Sequence, residues 1–500
     1  MSDSSRPRPE TRHRSLHSLP LELLAEICSY FCAHCVRKDQ GDTWPFNAKQ
    51  DHMGDVCPPP ELGSRSGSTD LLNISRVNRT LHAVAGQYLS HCTFTRNWSL
   101  WFLLDTLTNR PTRALRIREL DVGYPLPHRG LVQGSRPPLP PPILNAVRDL
   151  LRSVRISTVE SRVAVEDALN NAPENVGIIG QMAEQAALMS ILLRLVPNLE
   201  SAHFQLPERH PRPAIVSFPA FLSGLVSSSP PLVSLTRLAF GSPAEQSFPS
   251  GIDKTIPIIA LAPNLRVLHF DNYGSNLEFG GLDLPPLQNL TELSLDKCCL
   301  TMDPLVTFLA KVGPNLSRMR YRRHGTAQAF RRGVSFHELL KALRRWRKTL
   351  RELSYTNSDY GLSQGNELLL DISLLQKFRT LQTLYTESTF LYAHVRYCWG
   401  EEDDVYLFTS TLPSSICTLK IRRYHHTLGV HLRELLVACK VGDYPNLRSI
   451  EIYVDCSDNF EFSDSEDEAS GDVPPESGIR SELEDIGASF RAAGVDFVLH

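Results

Sequence analysis

The sequence predicts an α/β fold: an irregular solenoid of parallel strands and crossover helices, entered through a short α-helical module. Three observations carry that expectation. The motif Leu-x-x-Leu-x-Leu, with apolar substitutes, recurs at Leu199–Phe204, Leu235–Phe240, Leu265–Phe270, Leu290–Leu295, Leu316–Tyr321, Leu350–Tyr355, Leu381–Leu384, Ile416–Ile421 and Leu447–Ile452. Counted from each first residue, the steps are 36, 30, 25, 26, 34, 31, 35 and 31, a spacing typical of repeat architectures. Amphipathic helical patterns lie between the motifs, and strands alternating with helices favour parallel pairing. The segment ahead of the repeats instead carries the apolar spacing of short helices.

Taken in order, residues 1–17 read as a disordered tail, polar and basic over Met1–Arg14 without the apolar core of a secretory signal. Leu19–Tyr30 is expected to be an amphipathic helix with Pro20 in its first turn and Leu23, Leu24 and Ile27 on one side. A Gly-, Pro- and Asp-rich stretch, about 33–69, reads as a loop insertion. Asp70 is placed to cap a following helix whose apolar face is Leu71, Leu72, Ile74, Val77, Leu81 and Val84. These segments form one module over 18–94, and the repeat domain is expected over 95–500.

The repeat domain opens with a helix over Trp98–Leu107 and a degenerate strand at Ile117–Val122. After a Pro-rich surface loop over Pro125–Pro142, helices are expected at Ile143–Arg155, Gln181–Val196, Ala220–Ser227, Asp303–Val312, Ser335–Lys348, Leu368–Phe378 and Val430–Lys440. Within each motif the last two apolar residues are two apart, so both face one side of a strand and the residues between face the other. Pro-Asn pairs (Pro197-Asn198, Pro263-Asn264, Pro314-Asn315, Pro445-Asn446) stop the preceding helix and turn the chain into the strand. Ser481–Ala493 and Val495–Leu499 read as a last helix and strand that cap the array. Residues 458–478 read as an acidic disordered loop, because Asp458–Asp472 has too few apolar groups to offset ordering.

Composition narrows the function classes. Hydrophobic residues make up 42% and charged residues 21% of the 500, and no apolar run approaches the length of a membrane span. A net charge of −3 gives no global reason to expect nucleic-acid binding. Eleven cysteines, without a secretory signal, point to reduced thiols and a cytoplasmic and/or nuclear protein. No Gly-rich phosphate loop, Gly-x-Ser-x-Gly elbow or His-Glu-x-x-His helix is present, so neither an enzyme nor a cofactor is expected.

The stretch Ser18-Leu19-Pro20-Leu21-Glu22-Leu23-Leu24-Ala25-Glu26-Ile27, continued after the insertion by Asp70-Leu71-Leu72-Asn73-Ile74-Ser75-Arg76-Val77-Asn78-Arg79-Thr80-Leu81-His82, resembles an F-box. With the repeats behind it, the chain is similar to the F-box/leucine-rich-repeat proteins of the irregular fungal kind, over about 19–94 for the F-box and 114–500 for the repeats. It departs from that pattern in the insertion between Phe31 and Asp70, where the family has a short turn. The resemblance implies the substrate-recognition subunit of an SCF-type cullin–RING ubiquitin ligase. Leu19, Pro20, Leu23, Leu24, Ile27, Leu72 and Val77 would contact a Skp-family adaptor, which bridges to the cullin complex. The alternatives are that these residues pack on the first repeat as an N-terminal cap, or that the chain is a non-ligase leucine-rich-repeat scaffold or regulatory binding protein.

A client protein would lie on the strand face opposite the apolar pairs. Arg318, Arg320 and Arg322 alternate along one strand there, and Tyr385, Lys420 and Arg422 follow on later strands. Three guanidiniums on one face need anionic company. Either Glu292, Asp296 and Glu352 on neighbouring strands supply it as an ion-pair ladder, or an acidic or phosphorylated segment of a client does. Ser463 and Ser465 sit in an acidic context that suits acidophilic kinases, and a phosphorylated loop would be a competitor for the arginines. The basic run Lys341, Arg344, Arg345, Arg347 and Lys348 reads as a solvated helix face. A metal site from Cys28, Cys32, Cys35 and Cys57, with His34 and His52 nearby, is set aside, because the spacing forms no two knuckle pairs. Cys298 is placed to satisfy turn backbone.

Overall fold

A computed structural model describes residues 19–36 except 33, 65–96, 100–123, 141–153, 178–205, 230–241, 252–273, 284–323 except 299, 334–357, 373–387, 409–422 except 410, 428–454 and 476–500. The tail, most of the insertion with Cys57 and His52, the helix expected at Ala220–Ser227, and Ser463 and Ser465 lie outside these residues.

Twelve parallel strands form a single sheet in chain order: β1 (Cys92–Arg96), β2 (Glu119–Gly123), β3 (Ser201–Gln205), β4 (Arg237–Gly241), β5 (Val267–Asp271), β6 (Glu292–Cys298), β7 (Arg318–Arg323), β8 (Glu352–Asn357), β9 (Thr383–Glu387), β10 (Thr418–Arg422), β11 (Ser449–Tyr453) and β12 (Asp496–Leu499). The helices, in chain order, are α1 (Leu21–Phe31), α2 (Arg65–Val77), α3 (Arg79–Tyr88), α4 (Leu100–Asn109), α5 (Pro111–Ala114), α6 (Pro141–Ser153), α7 (Ile178–Leu195), α8 (Ile256–Ala260), α9 (Met302–Lys311), α10 (Phe336–Ala342), α11 (Ser373–Gln376), α12 (Leu428–Val441) and α13 (Glu476–Ala492). Each strand pairs only with its neighbours in sequence, which makes the chain an α/β solenoid.

The motif residues are what hold one repeat on the next. In each unit the first, fourth and sixth positions are buried, as in Leu265, Leu268 and Phe270, and equal register stacks them into continuous columns. Phe240 stands 6.1 Å from Phe204 and 5.6 Å from Phe270, ring centre to ring centre, while Tyr321 and Tyr355 stack at 5.7 Å. The residue before seven of the nine motifs has a further task. Asn198, Asn264, Asn289 and Asn446 each donate a side-chain N–H to a carbonyl of the preceding repeat, at Leu115, Val233, Pro263 and Ser414. Thr349, Thr380 and Ser415 do the same with a hydroxyl, to Pro314 and Leu316, Leu350, and Leu381. A polar ladder therefore runs along the turns and satisfies carbonyls that no strand partner reaches. Cys298 is fully buried, and its thiol reaches the Phe270 carbonyl of the preceding strand at 3.7 Å.

Backbone chemistry fixes the connections. Ser335 and Glu338 form a reciprocal capping box at the start of α10. The expected helix over Ser335–Lys348 is instead split, with a 3₁₀ turn at Leu343–Trp346 after α10. There the buried Trp346 indole N–H is held by the Gly313 carbonyl at 2.7 Å. Gly313 itself leaves no room for a side chain, since a Cβ would run into the backbone of Gln288. Gly442 ends α12 with a positive φ of 97°, and Asp443 N–H bonds back to the Ala438 carbonyl.

Several expectations need correcting. Cys92–Arg96 is a strand of the sheet, so the module ends near His91 and the boundary at 94 falls inside β1. Its only large apolar residue, Phe94, is exposed, and the strand carries no motif. Asp70 is inside α2 rather than capping it, because the helix already begins at Arg65 within the expected insertion. The single helix expected from Asp70 is two helices, since Asn78 is extended and its side chain accepts the Leu81 N–H at 2.8 Å to start α3. The acidic loop stops short of 478, as α13 begins at Glu476.

Candidate functional site

The module has its own small core of Leu24, Cys28, Cys32, Leu71, Leu81, Val84 and Ala85. Leu24, Cys28 and Cys32 are four apart along α1 and its end, so they form one buried stripe. Leu23, Ile27, Tyr30 and Phe31 form a second stripe beside it that the core does not cover: Leu23 is 46% exposed and Tyr30 67%. Of the expected adaptor contacts, Pro20, Leu23, Leu72 and Val77 are exposed and Leu19 and Ile27 half-buried. Leu24 is corrected: at 0% exposure it belongs to the module's core and offers a partner nothing. Leu21, Tyr30 and Phe31 are exposed apolar residues that the sequence reading left out; Tyr30 and Phe31 follow Ile27 by three and four positions, which was the available signal for them, whereas Leu21 has no such relation to Leu23 or Ile27.

On the sheet, register sets Ser294, Arg320, Ser354, Tyr385, Lys420 and Glu451 in one row across β6 to β11. Within β7, Arg318 and Arg322 flank Arg320. Both flanking residues are partnered within the protein. Arg318 lies 3.3 Å from Glu292 and 3.6 Å from Glu352, one on each neighbouring strand, and Arg322 lies 3.8 Å from Asp296. Lys420 pairs with Glu451 at 2.9 Å, and Tyr385 rests against the Tyr453 ring at 6.0 Å. Arg422 lies one row above, paired in register with Glu387 and Tyr453. Arg320, half-buried, makes no ion pair or hydrogen bond among the described residues. The ladder thus accounts for Arg318 and Arg322, and leaves Arg320 as the cation with capacity to spare. An open cleft of about 610 Å³ lies below Arg318, between Ser317, Lys348, Arg351 and Gln382.

The ionisable groups around this row are strongly perturbed. Burial brings His269 down to about 4, with Asp296 opposing and Arg320 and His203 reinforcing the shift. Burial, then the Asp296 carboxylate, push Asp271 up to about 7, against Lys297, His203 and Arg322. Further along, burial opposes ionisation of Glu451, but hydrogen bonds from Lys420 and Tyr453 outweigh it and hold its carboxyl below the usual range. His203 and Asp121 are 2.8 Å apart in the same row nearer the N-terminal end. The face therefore combines a charged centre with a histidine and an aspartate whose ionisation burial opposes, and a glutamate held ionised by Lys420 and Tyr453.

The basic run is exposed at Lys341, Arg344, Arg345, Arg347 and Lys348, with Arg345 stacked over Trp346 at 4.3 Å and Lys348 reaching the cleft below Arg318. Among the described residues no helix is long and apolar enough to cross a membrane, and no disulfide joins the described cysteines. No protein-family model matches the chain, and no curated protein matches it significantly.

Proposed function

We propose that this chain is the substrate-recognition subunit of an SCF-type cullin–RING ubiquitin ligase, working in the cytoplasm and/or nucleus. The module acts as an F-box that docks a Skp-family adaptor, and the concave sheet face holds a client protein. The observation that carries this reading is the second apolar stripe of α1. A three-helix module that has completed its own core, yet presents Leu23, Tyr30 and Phe31 to solvent, is built to bury them against another helical surface. Chemistry then belongs to the partners, and this chain contributes orientation and effective concentration.

The test is a pull-down with the adaptor. Leu23→Asp/Leu72→Asp should weaken capture by at least about tenfold, since each buried leucine is worth about 1.5–3 kcal/mol, with the thermal transition unchanged because both side chains are exposed in the free protein. Equal capture of wild type and variant would sink the ligase reading and leave the repeat-scaffold alternative.

A further inference from the structure

Four side chains able to ligate a metal meet where the module joins the sheet, and neither surface described above uses them. Cys32 ends α1, His34 and Cys35 lie on the helical turn that follows, and His91 lies in the turn between α3 and β1. One donor atom from each lies within 4.8 Å of all the others. Cys32 Sγ is 3.7 Å and Cys35 Sγ 3.6 Å from His91 Nδ1, and Cys35 Sγ is 3.7 Å from His34 Nδ1. A zinc ion held tetrahedrally at about 2.3 Å from sulfur and about 2.0–2.1 Å from nitrogen sets sulfur and nitrogen ligands about 3.6 Å apart. The three separations are thus edges of such a tetrahedron.

A second observation points the same way. The other ring nitrogen of His34, Nε2, lies 3.3 Å from the Glu200 carboxylate, which is itself held 3.7 Å from Arg118. Ligating imidazoles hand their free nitrogen to a carboxylate in this manner, which fixes the ring and its tautomer. Cys32 is 2% and His34 8% exposed, while Cys35 and His91 are half-buried. Two neighbouring thiols stand outside the set: Cys28 is fully buried in the module's core, and Cys92, though in contact with Cys32, donates to Glu119 at 3.3 Å.

We propose that Cys32, His34, Cys35 and His91 form a structural Zn²⁺ site that clamps the helical module to the solenoid. Two thiolates and two neutral imidazoles are the donor set zinc prefers, and with four protein ligands no position is left for catalysis. On binding, each thiol gives its proton to solvent and its sulfur electron pair to the metal, with no change of oxidation state. The ligands come from the end of α1, the following turn and the turn that leads into β1, and Glu200 belongs to the turn before β3. One ion therefore fixes the angle between the module and the first repeats. The site stands whatever the module docks with.

The experiment is metal analysis of the full chain purified without chelator, followed by exchange with Co²⁺. Wild type, Cys28→Ser and Cys92→Ser should each carry about one zinc per chain, and the cobalt form should show tetrahedral d–d bands with thiolate charge transfer. Cys35→Ser and His91→Asn should lose the metal. Glu200→Gln should keep it with roughly 10- to 100-fold weaker affinity, a readout open to a chain that remains folded. Wild type free of zinc and without a cobalt spectrum would overturn the proposal. So would a Cys32–Cys35 disulfide found by mass under non-reducing conditions, or metal retained by Cys35→Ser but lost by Cys28→Ser.

Discussion

His269 and Asp271 lie two apart on β5 and are perturbed in opposite senses by the same burial. His269 falls below its ordinary 6.5 to about 4; its contribution to stability is present above 6.5 and is lost as the pH drops towards 4. Asp271 rises from 3.8 to about 7; its contribution is present at low pH and is lost as the pH climbs through that interval. The two slopes oppose each other over the same range. Removing one should expose the other. Relative to wild type, His269→Gln should raise the melting temperature at about pH 5 more than at about pH 7.5, and Asp271→Asn should do the reverse. Parallel shifts in the two variants would show that these groups are not buried as described. Asp296, Arg320, Lys297, Arg322 and His203 surround the pair and are left intact in both.

Within β7, alternate residues divide the work. Arg318 and Arg322 are engaged by carboxylates of adjacent strands, whereas Arg320 is flanked in register by Ser294 and Ser354. For a client with an acidic or phosphorylated segment, Arg320→Ala should cost roughly tenfold or more in affinity, the worth of one charge-assisted hydrogen bond. Arg318→Ala should cost less, because Glu292 and Glu352 already compete for it. Binding curves for the two variants compare them, and a larger loss for Arg318→Ala would relocate the contact to the strand's lower edge. The strands of the repeat were legible because Leu-x-x-Leu-x-Leu encodes both a period and a face. β1 was not, since Cys92–Arg96 pairs with β2 through its backbone while carrying no leucine. The break at Asn78 was hidden by continuous apolar spacing from Leu71 to Val84, which a single helix also satisfies. Cys32, His34 and Cys35 were considered as metal ligands and set aside for want of a second knuckle pair, because spacing rules see neighbours in sequence and the fourth member, His91, meets Cys35 and Cys32 across 56 and 59 residues. The exposed stripe of α1 was half legible: sequence shows that a residue is apolar, but which apolar face is covered depends on where α2 and α3 pack.

Across the whole molecule, cohesion is a sum of nearest-neighbour interfaces. Phe240 is fully buried between Phe204 and Phe270, so Phe240→Ala should destabilise its surroundings by about 3–5 kcal/mol. That loss should stay local. Hydrogen exchange should quicken in β3, β4 and β5 while β9 to β12 keep their protection, and uniform loss across the sheet would mean a single cooperative core instead. The same in-order sheet has a consequence for how the protein is made. Every strand finds its template in the strand synthesised just before it, so a nascent chain can add each repeat to an existing edge as it leaves the ribosome, without waiting for distant sequence. The growing end is an open strand edge at every stage. A chain paused between two repeats would hold its finished repeats folded while offering that adhesive edge to other chains, so the same in-order pairing that speeds assembly sets its exposure to edge-to-edge association.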